Sequence, residues 1–223
     1  MIIIVVLLLS GISPLELENA GRLAEAGAAW ETEENISGQI RIMGRLIEEA
    51  IYSGDGRRAS LLVTELNTVF RDDALTEFWM ARIAWSSGLP VLASSRLAQL
   101  ASDDLWLKHR ANGLAALFRE DGEEAVEELT LSIACASTRR RAFWSAVDLC
   151  SAYLAMGLFE EALELSQTLT VSFPGDAMGM VAYGLCLHAT GNYSESFSVL
   201  SAVDSFNPAA ESIARALMEG FEQ

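Results

Sequence analysis

Proline is scarce in this sequence, four residues in 223, and with Ala, Leu and Glu abundant that scarcity favours helix throughout. Basic residues are few: 15 Lys and Arg stand against 31 Asp and Glu, a formal charge of −16. Such a chain repels phosphate backbones and anionic headgroups at long range, so no nucleic-acid partner is expected. Cysteine is limited to Cys135, Cys150 and Cys186. An odd number without close metal-type spacing indicates neither a disulfide framework nor a zinc site. The two histidines, His109 and His188, belong to no HExxH or Cys-His arrangement, and there is no Gly-x-Ser-x-Gly and no Gly-rich phosphate loop. The residues therefore predict no catalysis, no cofactor and no metal. What is present is a 51% apolar chain, long enough to bury a sizeable core.

The longest apolar run is at the start, where residues 2–9 are uninterrupted Ile, Val and Leu. It has the length of a signal-peptide core and is too short for an ordinary spanning helix. It predicts an exported or cell-envelope protein, with residues 1–13 as a leader and membrane contact confined to residues 2–9. The alternative is a buried end in a cytoplasmic protein. Residues 14–39 are Ala-rich with apolar residues at helical spacing and read as a capping helix or degenerate half repeat.

From there the glycines keep time. Gly54, Gly88, Gly122, Gly157 and Gly191 recur at intervals of 34, 34, 35 and 34 residues, and Phe159 and Pro174 recur 34 residues on as Tyr193 and Pro208. A period of that size predicts an all-α solenoid of stacked antiparallel helix hairpins, each covering an apolar face that its neighbour cannot bury alone.

Between about Ile40 and Ala210 the chain resembles the tetratricopeptide-repeat family, which implies five repeats over residues 40–210 and a right-handed superhelix. The fourth unit carries the pattern best, on Cys150, Tyr153, Gly157, Phe159, Ala162, Ser166, Leu169 and Pro174; the fifth follows with Gly184, Leu187, Gly191, Tyr193, Ser196, Leu200, Val203 and Pro208. The third gives Ala115, Phe118, Gly122, Leu131 and Ala134, but Glu127 stands where Ala is expected, which suggests a shifted second helix using Ala125 instead. Residues 211–223 read as a C-terminal capping helix.

Junction residues Asp73, Asp103 or Asp104, Asp176 and Asn207 are placed to cap the following helices. The run Arg139-Arg140-Arg141 reads as the cationic end of a helix, suited to its dipole, or as a basic spot able to grip a carboxylate or phosphate.

The resemblance implies that first helices line a concave groove that holds a peptide or partner domain, making the protein a non-catalytic interaction scaffold with a protein or peptide partner. Groove positions carried onto this sequence single out Arg41, Phe78, Arg82, Trp85, Asn112, Arg119 and Trp144, aromatics as anchors and arginines as grips. Gly44, Glu48, Asn112 and Arg119 do not recreate the family's clamp for acidic chaperone tails. Two alternatives stand beside this reading. One is a ligand-sensing or hydrolytic protein with an inter-repeat pocket near His109 and Arg119; the other is a structural component of the cell envelope.

Overall fold

The computed structural model describes residues 25, 26, 28, 36–52, 54–203 and 208–221. The leader, most of the N-terminal cap and Asn207 lie outside these. From residue 36 on, among the described residues, eleven helices follow one another: α1 Ile36–Tyr52, α2 Gly56–Val69, α3 Asp73–Ser86, α4 Pro90–Ala98, α5 Leu105–Phe118, α6 Gly122–Cys135, α7 Arg139–Ala155, α8 Phe159–Ser172, α9 Ala177–Ala189, α10 Tyr193–Ser201 and α11 Pro208–Phe221. Odd-numbered helices up to α9 pair with the even-numbered helix that follows, giving five antiparallel hairpins in an all-α solenoid, and α11 closes the described array.

Each hairpin turns through one residue in the left-handed region, and the packing is phased from it. These residues are Gly54, Gly88, Glu120, Gly157 and Gly191. In four turns Gly adopts positive φ without a Cβ penalty; the third turn uses Glu120 at φ 65°. Seven residues before each stand Ile47, Ala81, Gly113, Cys150 and Gly184, and five residues after stand Ala59, Ala93, Ala125, Ala162 and Ser196, all buried. Small at every position but Ile47, these residues are where the two helices of a hairpin cross. A Cβ on Gly113 would lie 2.6 Å from Leu129 Cγ, and one on Gly184 2.6 Å from Leu200 Cδ2. Leu129 and Leu200 each come nine residues after their turn residue, so both hairpins use the same Leu-into-Gly contact.

The third unit therefore departs from the glycine spacing. Gly122 is the first residue of α6 rather than the turn residue, and the register slips by two. Gly113, Leu129 and Ser132 are buried where Ala115, Leu131 and Ala134 were expected to mark the pattern, and Leu131 and Ala134 are exposed. The substitution of Ala125 for Glu127 is correct: Ala125 is buried and Glu127 faces solvent.

Caps are carried by Asp55, Asp72, Asp104, Asp121, Thr138 and Asp176, each accepting from backbone N–H groups in the first turn. Asp72, not Asp73, caps α3, and Asp104 is the working member of its pair. The arginine run sits at the start of α7, not at a helix C-terminus. That end of a helix repels cations, and here neighbouring groups answer them. Asp104 Oδ1 caps α5 while its Oδ2 accepts from Arg141 at 2.7 Å. Asp176 does the same for α9 and Arg140, at 2.6 Å. Arg139 donates to the Ser172 carbonyl. The carboxylates this run grips belong to its own chain.

Candidate interaction surface

The first helices curl so tightly that the inner face is filled by its own side chains. Helix α11 packs on α9 and α10 and also touches α1. Glu48 of α1, Arg82 of α3, Arg110 of α5 and Asp148 of α7 meet there, all buried. Arg82 Nη1 donates to Glu48 Oε2, Arg110 Nη2 lies 2.6 Å from Glu48 Oε1, and Arg110 Nε donates to Asp148 Oδ2 at 2.7 Å. The Tyr52 hydroxyl donates to Asp148 Oδ1 at 2.7 Å. Two guanidinium groups and two carboxylates balance in charge, which makes burial tolerable.

The four units do not share this charge evenly. Burial works against ionising Asp148, but Arg110 and Arg82 outweigh it and hold its carboxyl below the ordinary range. For Glu48 burial wins over the same two arginines, with Asp148 adding to it, and the carboxyl is pushed up. Burial and the Asp148 charge also push the Tyr52 phenol up, so it stays a donor. Arg45 Nη2 of α1 lies 3.8 Å from Asp176 Oδ2 at the start of α9, tying the first unit to the fifth.

This inner lattice corrects three of the contact residues drawn from groove positions. Phe78 and Trp144 are buried, Phe78 edge-on to Trp79 and Trp144 stacked on Tyr52. Arg82 is consumed by Glu48 and Asp148. The curvature, invisible in a linear repeat, turns groove positions into core. Asn112 is half-buried and donates to Glu128, which also holds His109 Nδ1 at 2.8 Å. Arg119 is exposed and paired with Glu124 at 2.8 Å, so His109 and Arg119 do not converge. Arg41 falls in α1. Beside the lattice, a small cavity of about 80 Å³ lies among Tyr52, Cys150, Ser151, Met178 and Ile213. The Cys150 thiol is pushed up by its hydrogen bond with Cys186, and then by burial.

Trp85 behaves differently. It is 41% exposed at the end of α3 and stacks flat on Phe118 at the end of α5, ring centroids 3.9 Å apart. Farther along the same edge an open cleft of about 940 Å³ lies between the α5–α6 turn and the end of α7, lined by neither Trp85 nor Phe118. Leu117, Ala155 and Met156 supply its apolar surface, and Arg119, Glu120, Asp121 and Glu123 its polar one. Met156 lies over Gly122, where a Cβ would sit 2.4 Å from Met156 Cγ. Sequence reasoning selected Trp85 and Arg119 but missed Phe118, Glu120 and Met156. They gather because the ends of successive first helices share one edge of the stack.

No family model matches the sequence, and no curated protein matches it. Among solved structures, the chain is similar to the MamA protein at 18% identity, covering 78% of this chain and 91% of that one with a TM-score of 0.42. It is also similar to a putative kinesin light chain of Podosopora anserina with nearly identical TPR-like repeats, at 16% identity, 89% and 96% coverage and a TM-score of 0.45. A third is YrrB, a TPR protein with an unusual peptide-binding site, at 14% identity, 86% and 96% coverage and a TM-score of 0.45.

Proposed function

We propose that the protein is a non-catalytic interaction scaffold that holds a peptide or a partner domain. The observation that carries this reading is the exposed face of Trp85, stacked flat on the half-buried Phe118, on a frame braced from within by buried ion pairs. An aromatic face left in water on the same edge as an open cleft is the kind of surface that partners bury. Leu89, in the turn that follows Trp85, and Met156 are exposed apolar neighbours along the same series of helix ends. Contact residues on this reading are Trp85 and Arg119, with Asn112 reached from the first-helix side.

Affinity capture from native cells with the wild-type chain and with Trp85→Ala tests it. Proteins retained by the first and lost by the second are expected; identical retention, with folding of both checked by circular dichroism, would sink the assignment. The apolar run at residues 2–9 supports a place in the cell envelope, which mass determination of the mature N-terminus would check.

A further inference from the structure

The edge that bears Trp85 also carries acidity that the chain leaves largely uncompensated. Around the cleft stand Glu120, Asp121, Glu123 and Glu124, with Arg119 as the cation among them: four carboxylates against one guanidinium leave a local charge of −3. Arg119 is tied to Glu124, and Asp121 spends one oxygen on the α6 cap. Among the described residues Glu120 and Glu123 have no ion-pair partner, and both are exposed.

Glu120 adds an independent indication. Its φ of 65° is a left-handed conformation that costs a side-chain-bearing residue roughly 1–2 kcal/mol. The other four units place glycine at that turn position. The fold would be better served by glycine, and what the costlier residue supplies is a carboxylate on the rim of the cleft.

We propose that this edge, from Trp85 to the cleft, docks a cationic amphipathic segment of a partner protein. Its apolar side chains cover Trp85 and the Leu117 and Met156 wall of the cleft, and its Lys or Arg side chains meet Glu120 and Glu123. The inference rests on the scaffold reading above and gives that surface a partner chemistry. An anionic occupant is repelled by the rim. A second copy of this chain is disfavoured by its charge of −16, and its one arginine run is already spent on Asp104, Asp176 and the Ser172 carbonyl.

The test uses the full chain and a fluorescently labelled 18-residue peptide of Leu and Lys in an amphipathic helical order. Two further peptides serve as comparison, one with Glu replacing Lys and one of the same composition in scrambled order. Anisotropy titration is expected to show the Leu–Lys peptide binding at least tenfold tighter than either. Trp85→Ala and the double variant Glu120→Lys/Glu123→Lys should each weaken it tenfold or more. The pair Glu65→Lys/Glu164→Lys, with the same change in charge elsewhere, should change it less than twofold. In Glu120→Gly/Glu123→Gln the Tm should rise as the peptide weakens at least fivefold, which a purely structural role for Glu120 would not produce.

Equal weakening by the two Lys pairs would mean diffuse attraction to an acidic protein and overturns the proposal. Tight binding of the Glu peptide that depends on Trp85 also overturns it, while leaving the scaffold reading intact. A dimer in sedimentation that dissolves in Trp85→Ala would assign the face to a second copy, again overturning it.

Discussion

Tyr52 and Asp148, 96 positions apart, are joined by a 2.7 Å hydrogen bond in the interior of the solenoid. Asp148 also accepts from Arg110, and its carboxylate lies 3.6 Å from Arg82 Nη2. One side chain thus gathers groups from α1, α3 and α5 onto α7. The ion pairs here are best viewed as a unit, since removing one partner leaves the opposite charge buried without compensation.

That view separates the two carboxylates. Asp148→Asn removes a charge that Arg110 and Arg82 favour, and a loss of about 3–5 kcal/mol is expected. Glu48→Gln replaces a group that burial already pushes toward its neutral form, so its cost should be clearly smaller. Urea unfolding of both variants decides; an equal loss would show that the lattice is not divided in this way.

The same asymmetry sets the pH dependence. The folded-state pKa of Asp148 is depressed below 3.8, so its contribution is complete above that unfolded value and is lost as pH falls through the lower folded one. Glu48 acts with the opposite sign: its raised pKa favours the folded state below 4.5 and costs stability as pH rises through the folded value. In Asp148→Asn the acid limb below about pH 4 should therefore flatten relative to wild type. Thermal unfolding across pH 2–6 measures it.

At the edge of the stack the caps can be compared with one another. Asp55→Ala removes an exposed cap and should cost about 1 kcal/mol. Asp176→Ala removes a cap together with the partner of Arg140 and Arg45, and should cost more than Asp55→Ala by at least the same amount again. If the two variants unfold at the same denaturant concentration, the arginine ties add nothing measurable.

Three glycines test the register of the third unit. Gly113→Ala forces a methyl against Leu129, including its backbone N at 3.1 Å, and should cost about 1–3 kcal/mol. Gly157→Ala meets open space but sits at φ 75°, which costs roughly 1–2 kcal/mol. Gly122→Ala sets a methyl 2.4 Å from Met156 Cγ but in an ordinary helical conformation; in a Met156→Ala background, which removes that contact, it should stay within about 0.5 kcal/mol of its parent. A Gly122→Ala loss in that background as large as that of Gly157→Ala would restore Gly122 as the turn residue.

The period of the glycines and of Tyr193 and Pro208 was legible because hairpin stacking is a local rule repeated along the chain. Helix, turn, small crossing residue and the Asp176 cap all depend on neighbours within one unit or the next. Even the doubtful Glu127 could be read, since a carboxylate does not fit a crossing position and Ala125 does. The two-residue slip was half hidden because Gly122 happens to keep the spacing while Glu120 takes the turn. Only the φ angle separates them.

The sequence by itself determined an all-α solenoid of stacked hairpins and an excess of acidic residues, both of which follow from periodicity and composition. The tertiary structure decided what faces water. Curvature accumulates small rotations from unit to unit, a sum that no single repeat displays, and it carries α1 round to α7, α9 and α11. That closure made Phe78, Arg82 and Trp144 interior residues and left Trp85 and the acidic rim of the cleft exposed at the edge.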